Sequence, residues 1–320
     1  MSALGHYLQL VQADLMRGFA TEHTHRPALK GLLESFAPGA VATNEPRRIE
    51  CGAPDFTITR REATIGYVEA KDVGKNLDEA EKSEQMQRYR RALTNLVLTD
   101  YVEFRWYTDG ERRLVARMGS VVADGHITRD AGGKAAVASL LQAFLSHQAA
   151  GVGTAKDLAV RMAQITHMVR DLTVNALTRE RETGNLHLQL EAFQHNLLPE
   201  LTAEQFADMY SQTIAYGLFA ARCADPTGNG FTRRNAAYLL PRTNPFLRNL
   251  FNQIAGPDLD DRVAWLVDDL AQLLAQADMS AVLQDFGKHT ATEDPVVHFY
   301  ETFLARYDPN EREQRGVYYT

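Results

Sequence analysis

Two segments, Ala53-Pro54-Asp55-Phe56-Thr57-Ile58 and Ile65-Gly66-Tyr67-Val68-Glu69-Ala70-Lys71, form the centre of this 320-residue sequence. Apolar and β-branched residues crowd both segments, which predicts two short strands joined by a polar, hairpin-like connection. Because side chains alternate between the faces of a strand, Glu69 and Lys71 point the same way. Asp55 adds a second carboxylate from the partner strand, so we expect three charged groups at one place.

Two carboxylates and one lysine suit the binding of a hard divalent cation. Mg²⁺ prefers oxygen ligands, keeps several of its waters and bridges to substrate phosphate groups. The Lys71 amine could orient or help deprotonate an attacking water, while the cation offsets the charge of the transition state. The pattern therefore indicates hydrolysis of phosphodiesters, with Mg²⁺ as the expected cofactor and Mn²⁺ as an alternative.

The spacing of these residues is similar to that of a known family. Pro54-Asp55, thirteen further residues and then Glu69-Ala70-Lys71 resemble the PD-(D/E)XK signature of restriction endonucleases and RecB-like nucleases. Gln85 and Tyr89 lie one helical turn apart and so share a helix face. They resemble the Gln-x-x-x-Tyr motif that many RecB-like members carry just after the catalytic strand. The resemblance implies that Asp55 and Glu69 bind the metal and that Lys71 positions the water.

The resemblance also implies roles for residues around this core. Gln85 and Tyr89 would contact DNA or support the metal site, and Arg88 belongs to a basic cluster assigned to DNA binding. Many family members carry an early acidic residue that faces the metal, and Glu22 matches that place as a catalytic and metal-binding candidate. Glu22 could instead be a favourable charge at a helix N-terminus. The alternative for the two carboxylates and the lysine is an ion-pair cluster on a surface hairpin.

The order of helical and extended patterns predicts an α/β fold for residues 1–130, namely an α/β/α sandwich with a mixed central sheet. A Gly-rich stretch at residues 123–133 marks the end of this predicted nuclease domain. From there strand signal is almost absent, which predicts an all-α connector or coupling domain over residues 131–294. We leave the helix predicted at residues 135–149 open to either domain.

Residues 295–320 carry a second resemblance. The segments 297–304, 307–309 and 315–320 resemble the lead-in to an N6-adenine DNA methyltransferase domain in fused restriction-modification enzymes of the type IIG and type I single-polypeptide kinds. No cofactor loop and no Asn-Pro-Pro-Tyr type motif of such a domain occurs in the sequence. We therefore expect S-adenosylmethionine to bind only in a methyltransferase domain missing from this chain, and we expect no methylation here. The chain would be either a shortened polypeptide or a natural fragment whose partner supplies the rest.

Composition sets further bounds. Hydrophobic residues make up 45% and charged residues 23% of the sequence, as in ordinary globular proteins. No apolar run of eighteen residues or secretion signal occurs, so we expect a cytoplasmic protein without a membrane partner. Cys51 and Cys223 show no metal-ligand spacing. The net charge of −7 does not favour DNA binding, but local arginine clusters matter more for that function.

Two hypotheses follow from the sequence. The first is the Mg²⁺-dependent DNA endonuclease portion of a restriction-modification or phage-defence enzyme fused to an adenine-specific DNA methyltransferase. Its partners would be double-stranded DNA and methyltransferase or target-recognition domains, in cis or in trans. The alternative is a non-catalytic DNA-binding and coupling module that docks a methyltransferase.

Overall fold

The computed structural model of the chain divides into two compact units, residues 1–149 and 150–320. Of the sequence candidates, Glu22, Cys51 and residues 310–320 of the methyltransferase-like segment lie outside the described residues. The structure describes residues 2–18, 23–44, 52–61, 63–122, 124–147, 151–179, 184–196, 198–225, 227–240, 245–256, 259–284 and 295–309.

The first unit contains a six-stranded mixed sheet whose spatial order follows the chain. The central strands β3 and β4 are parallel, and all other neighbours are antiparallel. The strands are β1 Ala40–Thr43, β2 Phe56–Arg60, β3 Ala63–Ala70, β4 Asn95–Thr99, β5 Glu103–Thr108 and β6 Glu111–Arg117. Residues 119–121 and 127–129 form a separate two-stranded ribbon, β7 and β8.

Helices lie on both sides of this sheet. The helices α1 Ala3–Met16, α2 Arg26–Phe36 and α5 Gly133–Ser146 bury their apolar residues with one sheet face, in a cluster that includes Phe56, Val68 and Val97. The helices α3 Leu77–Glu81 and α4 Glu84–Ala92 follow β3 in the chain. On the opposite face of the sheet, Arg105 of β5 donates hydrogen bonds to Asp78 and Glu81 of α3. The predicted α/β class with a mixed sheet is therefore confirmed.

Helix α5 packs on the sheet through Val137, Leu140, Leu141 and Phe144, which are fully buried. The helix that the sequence left open to either domain thus belongs with the strands. For that reason the first compact unit extends beyond residue 130, where the sequence analysis placed the domain boundary. The apolar face of an amphipathic helix is visible in a sequence, but the surface that covers it is not.

The second unit is helical, and no strand occurs among its described residues. Thr202 forms a capping box at the start of one of its helices, since the Thr202 side chain accepts from the Gln205 backbone N–H at 3.2 Å. The helices are α6 Ala155–Arg179, α7 Asn185–Asn196, α8 Ala203–Ala224, α9 Arg233–Leu239, α10 Pro245–Ala255, α11 Asp261–Gln276, α12 Met279–Gln284 and α13 Pro295–Tyr307. Across the described ranges, no helix has the length and apolarity needed to cross a bilayer.

Candidate active site

Asp55 lies directly before β2, where the chain enters the sheet. In the β2–β3 register, Phe56 pairs with Val68 and Thr57 with Tyr67. The same antiparallel register places Asp55 opposite Glu69, and opposite residues point to the same face of a sheet. The sequence prediction of two carboxylates at one place therefore has a direct geometric basis in the strand register.

Both oxygens of the Asp55 carboxylate accept hydrogen bonds. The backbone N–H of Ala70 donates to Oδ2 at 2.7 Å, and Nη2 of Arg26 donates to Oδ1 in a buried ion pair. The Asp55 residue is only 2% exposed. A buried carboxylate requires such compensation, because desolvation of an unpaired charge is costly.

The second carboxylate, Glu69, bonds the predicted lysine. The Lys71 Nζ donates to Glu69 Oε1 at 2.6 Å and to Gln85 Oε1 at 3.4 Å. The backbone of Lys71 is held separately, since its N–H donates to the Thr99 carbonyl at 2.8 Å. Glu69 is buried and Lys71 is half-buried, so this pair lies at the boundary between the core and the solvent.

Helix α4 connects this pair to the segment that precedes Asp55. Gln85 Nε2 donates to the Tyr89 hydroxyl at 2.9 Å, and that hydroxyl donates to the Gly52 carbonyl at 2.8 Å. Ser83 caps the helix by accepting from the Met86 N–H, which fixes the first turn that carries Gln85. One chain of hydrogen bonds thus runs from Glu69 through three side chains to the backbone.

Burial raises the pKa of Tyr89 well above its usual value, and the negative charge of Glu69 raises it further. The phenol therefore stays protonated at neutral pH and remains a donor to the Gly52 carbonyl. Asp55 contributes to the same rise, while Arg88 lowers the pKa of Tyr89. Tyr89 thus lies within electrostatic reach of both carboxylates, although the three residues come from different elements.

The structure brings together five of the sequence candidates: Asp55, Glu69, Lys71, Gln85 and Tyr89. The sixth described candidate, Arg88, is half-buried on α4, and only its charge connects it with the group.

Sequence reasoning missed Arg26, which is the cation in contact with Asp55. Arg26 is the first residue of α2 and precedes Pro27, a common position for helix initiation. Nothing in the local pattern distinguishes it from the other arginines of the chain. Its neighbour His25 is also buried, and burial lowers the pKa of this imidazole despite the opposing charge of Asp14. His25 therefore adds no positive charge beside the ion pair at neutral pH.

The donor types at this site fit a hard divalent cation, since two carboxylates from adjacent strands face the same way. Among the described residues, no group of three or more His, Cys, Asp or Glu side chains could hold a metal. The described donor set is thus the pair Asp55 and Glu69, and each carboxylate already has a cationic partner, Arg26 and Lys71 respectively. Asp55 and Glu69 are the residues that would hold Mg²⁺, and each would then share its carboxylate with a cation or exchange that partner for the metal.

One solved structure, described as a cryo-EM structure of a DrdV–DNA complex, contains a chain with 18% sequence identity and a TM-score of 0.38. The match covers 99% of this chain and 30% of that chain, so the present chain spans less than a third of that protein. No protein-family model and no curated protein matches the sequence.

We expect Tyr89→Phe to lower the free energy of unfolding by about 1–3 kcal/mol, because the Gly52 carbonyl and Gln85 amide lose a buried partner. Equilibrium unfolding in urea measures this change. Tyr107→Phe is a matched control, since Tyr107 is equally buried but its hydroxyl has no hydrogen-bond partner among the described residues. Equal stability of the two variants would contradict the hydrogen-bonded role of Tyr89.

Proposed function

We propose that the chain is the Mg²⁺-dependent DNA endonuclease portion of a restriction-modification or phage-defence enzyme. Methyltransferase and target-recognition domains would act with it in cis or in trans. The observation that carries this proposal is the group formed by Asp55, Glu69 and Lys71 on adjacent strand ends, continued by Gln85 and Tyr89. A surface hairpin with incidental ion pairs would leave such charges exposed, whereas the carboxylates here are 2% and 3% exposed.

In this proposal, Asp55 and Glu69 hold the cation, Mg²⁺ or Mn²⁺, which supplies Lewis-acid stabilisation of the phosphate charge when bound. Lys71 orients the attacking water and takes part in moving its proton. Gln85 keeps the Lys71 amine in place through its amide oxygen. The Tyr89 hydroxyl accepts a hydrogen bond from the Gln85 amide and donates to the Gly52 carbonyl, which fixes the position of Gln85. The residues on α4 therefore act by positioning the amine.

The substrate in this proposal is double-stranded DNA. Arg88 lies beside Tyr89 on α4 and would contact a phosphate, because guanidinium groups bind phosphate oxygens well. Glu22 is assigned as a third metal ligand. We assign S-adenosylmethionine to the methyltransferase domain of the proposed enzyme, and we expect no methylation by this chain.

A second candidate function is the non-catalytic coupling module that docks a methyltransferase. The observation that favours it is that the Asp55 carboxylate already has hydrogen-bond donors within the chain. Arg26 and the Ala70 N–H donate to the two oxygens of Asp55, so the carboxylate is compensated without a metal ion. In this alternative, the group of charges stabilises the fold, and the chain binds DNA and docks a methyltransferase without cleaving DNA.

Incubation of the chain with supercoiled plasmid distinguishes the two candidates. We expect slow and sequence-unspecific nicking in Mg²⁺ or Mn²⁺ and none in EDTA, because target recognition in the proposed enzyme belongs to separate domains. DNA binding in Ca²⁺ is measured in parallel by fluorescence anisotropy. Binding without cleavage in both active cations would contradict the endonuclease proposal and favour the coupling module.

A further inference from the structure

The Arg26–Asp55 pair joins two elements that are distant in sequence. Arg26 begins α2, and Asp55 precedes β2, 29 residues later. Their side chains are 6% and 2% exposed, so water does not share this interaction. Because the Ala70 N–H already donates to Oδ2, Arg26 takes the remaining oxygen of the carboxylate.

This contact places a positive charge where a cation would bind Asp55. A guanidinium stays protonated in proteins, so proton loss cannot remove its charge. The paired state can therefore end only by movement of the side chain or by replacement of the charge. A divalent cation is such a replacement, since it compensates the carboxylate by direct coordination.

The lysine at the second carboxylate differs from Arg26 in position. Lys71 lies at the end of β3 and is 22% exposed, and its amine also reaches Gln85. An amine on a flexible stem can shift between these oxygens with little change in burial. The Arg26 guanidinium has no comparable access to solvent, so the two cations are expected to respond differently to a metal ion.

We propose that Arg26 controls cation loading at Asp55, with its guanidinium occupying the carboxylate until a divalent cation displaces it. This inference rests on the proposed metal-dependent function and assigns a role to a residue outside the family signature. Arg26 is accordingly a positioning residue, because it acts through Asp55. If the paired state is populated about nine-tenths of the time, the apparent cation affinity falls about tenfold.

Calorimetric titration of the full chain with Mn²⁺, without DNA, tests this proposal. We expect Arg26→Gln to bind Mn²⁺ at least about tenfold more tightly than the wild type, as the population argument requires. Adding Asp55→Asn to Arg26→Gln should abolish this gain. The matched control is Arg105→Gln, which removes another buried arginine paired with carboxylates, 2.6 Å from Glu103 and 2.7 Å from Asp78. Its Mn²⁺ affinity should equal that of the wild type.

Circular dichroism shows whether Arg26→Gln folds. If it does not, Arg26→Lys retains the charge with fewer donors, and its affinity for Mn²⁺ should exceed that of the wild type. Equal affinities of the wild type and the folded Arg26 variant would overturn the role of Arg26 and leave the metal site standing. Absence of Mn²⁺ binding in every protein would overturn the metal site, and with it this inference.

Discussion

Lys71→Ala is expected to slow divalent-dependent DNA cleavage by about 10²–10⁴-fold, the range for loss of a positioned proton-transfer group. In the structure the Lys71 amine bridges Glu69 and Gln85. Alanine keeps the backbone N–H that donates to Thr99 at 2.8 Å, so the end of β3 should retain its place. Single-turnover plasmid cleavage in excess Mg²⁺ measures the effect.

Two controls separate chemistry from folding in this experiment. Lys75→Ala removes an exposed lysine four residues along the chain and should leave the cleavage rate unchanged. Lys71→Arg keeps the charge but holds its proton too tightly for proton transfer at neutral pH, so it should remain strongly impaired. Cleavage by Lys71→Ala at the wild-type rate would rule out this lysine as the catalytic amine.

Gly66→Ala is expected to lower the free energy of unfolding of the first unit by about 1–3 kcal/mol, the usual cost of overpacking a core. A Cβ at Gly66 would lie 2.5 Å from Cε2 of Phe144 and 2.8 Å from Nδ2 of Asn95. Neither neighbour can easily give way. Phe144 is fully buried, and the Asn95 amide donates to two carbonyls and accepts from Trp106. Urea unfolding followed by circular dichroism measures the change.

Gly31→Ala is the counterpart of this substitution in helix α2. A Cβ at Gly31 would meet nothing within 4 Å, so alanine should stabilise the chain by about 0.5–1 kcal/mol through helix propensity alone. The two glycine variants should thus move the unfolding midpoint in opposite directions. If Gly66→Ala proved as stable as Gly31→Ala, the described packing of α5 on β3 would be incorrect.

Much of the fold could be predicted because its signals are local. Strand β4 is buried throughout, and its sequence, Asn95-Leu96-Val97-Leu98-Thr99, indicates a strand from its short apolar run. The start of helix α8 is visible in the sequence as a capping box, which depends on two residues three positions apart, Thr202 and Gln205. The shared face of Gln85 and Tyr89 follows in the same way from helical geometry. Each of these predictions needs only neighbouring residues.

The position of helix α5 needed the tertiary structure. Its apolar residues indicated a helix from the sequence, but both the sheet and the helical unit could have covered that face. Phe144 packs against β3 at a glycine, Gly66, where the missing side chain leaves room for the ring. This fit depends on two residues that are more than seventy positions apart in the sequence, so no local sequence pattern reveals it.

The sequence by itself determined the strand pairing that brings Asp55 and Glu69 to one place, because alternation and register act between neighbouring segments. Only the tertiary structure decided which cation the Asp55 carboxylate contacts. Lys71 is two residues from Glu69, so strand geometry sets that pair. Arg26 and Asp55 meet because α2 packs on β1, the strand that pairs with β2, and a buried carboxylate takes the donor that packing supplies.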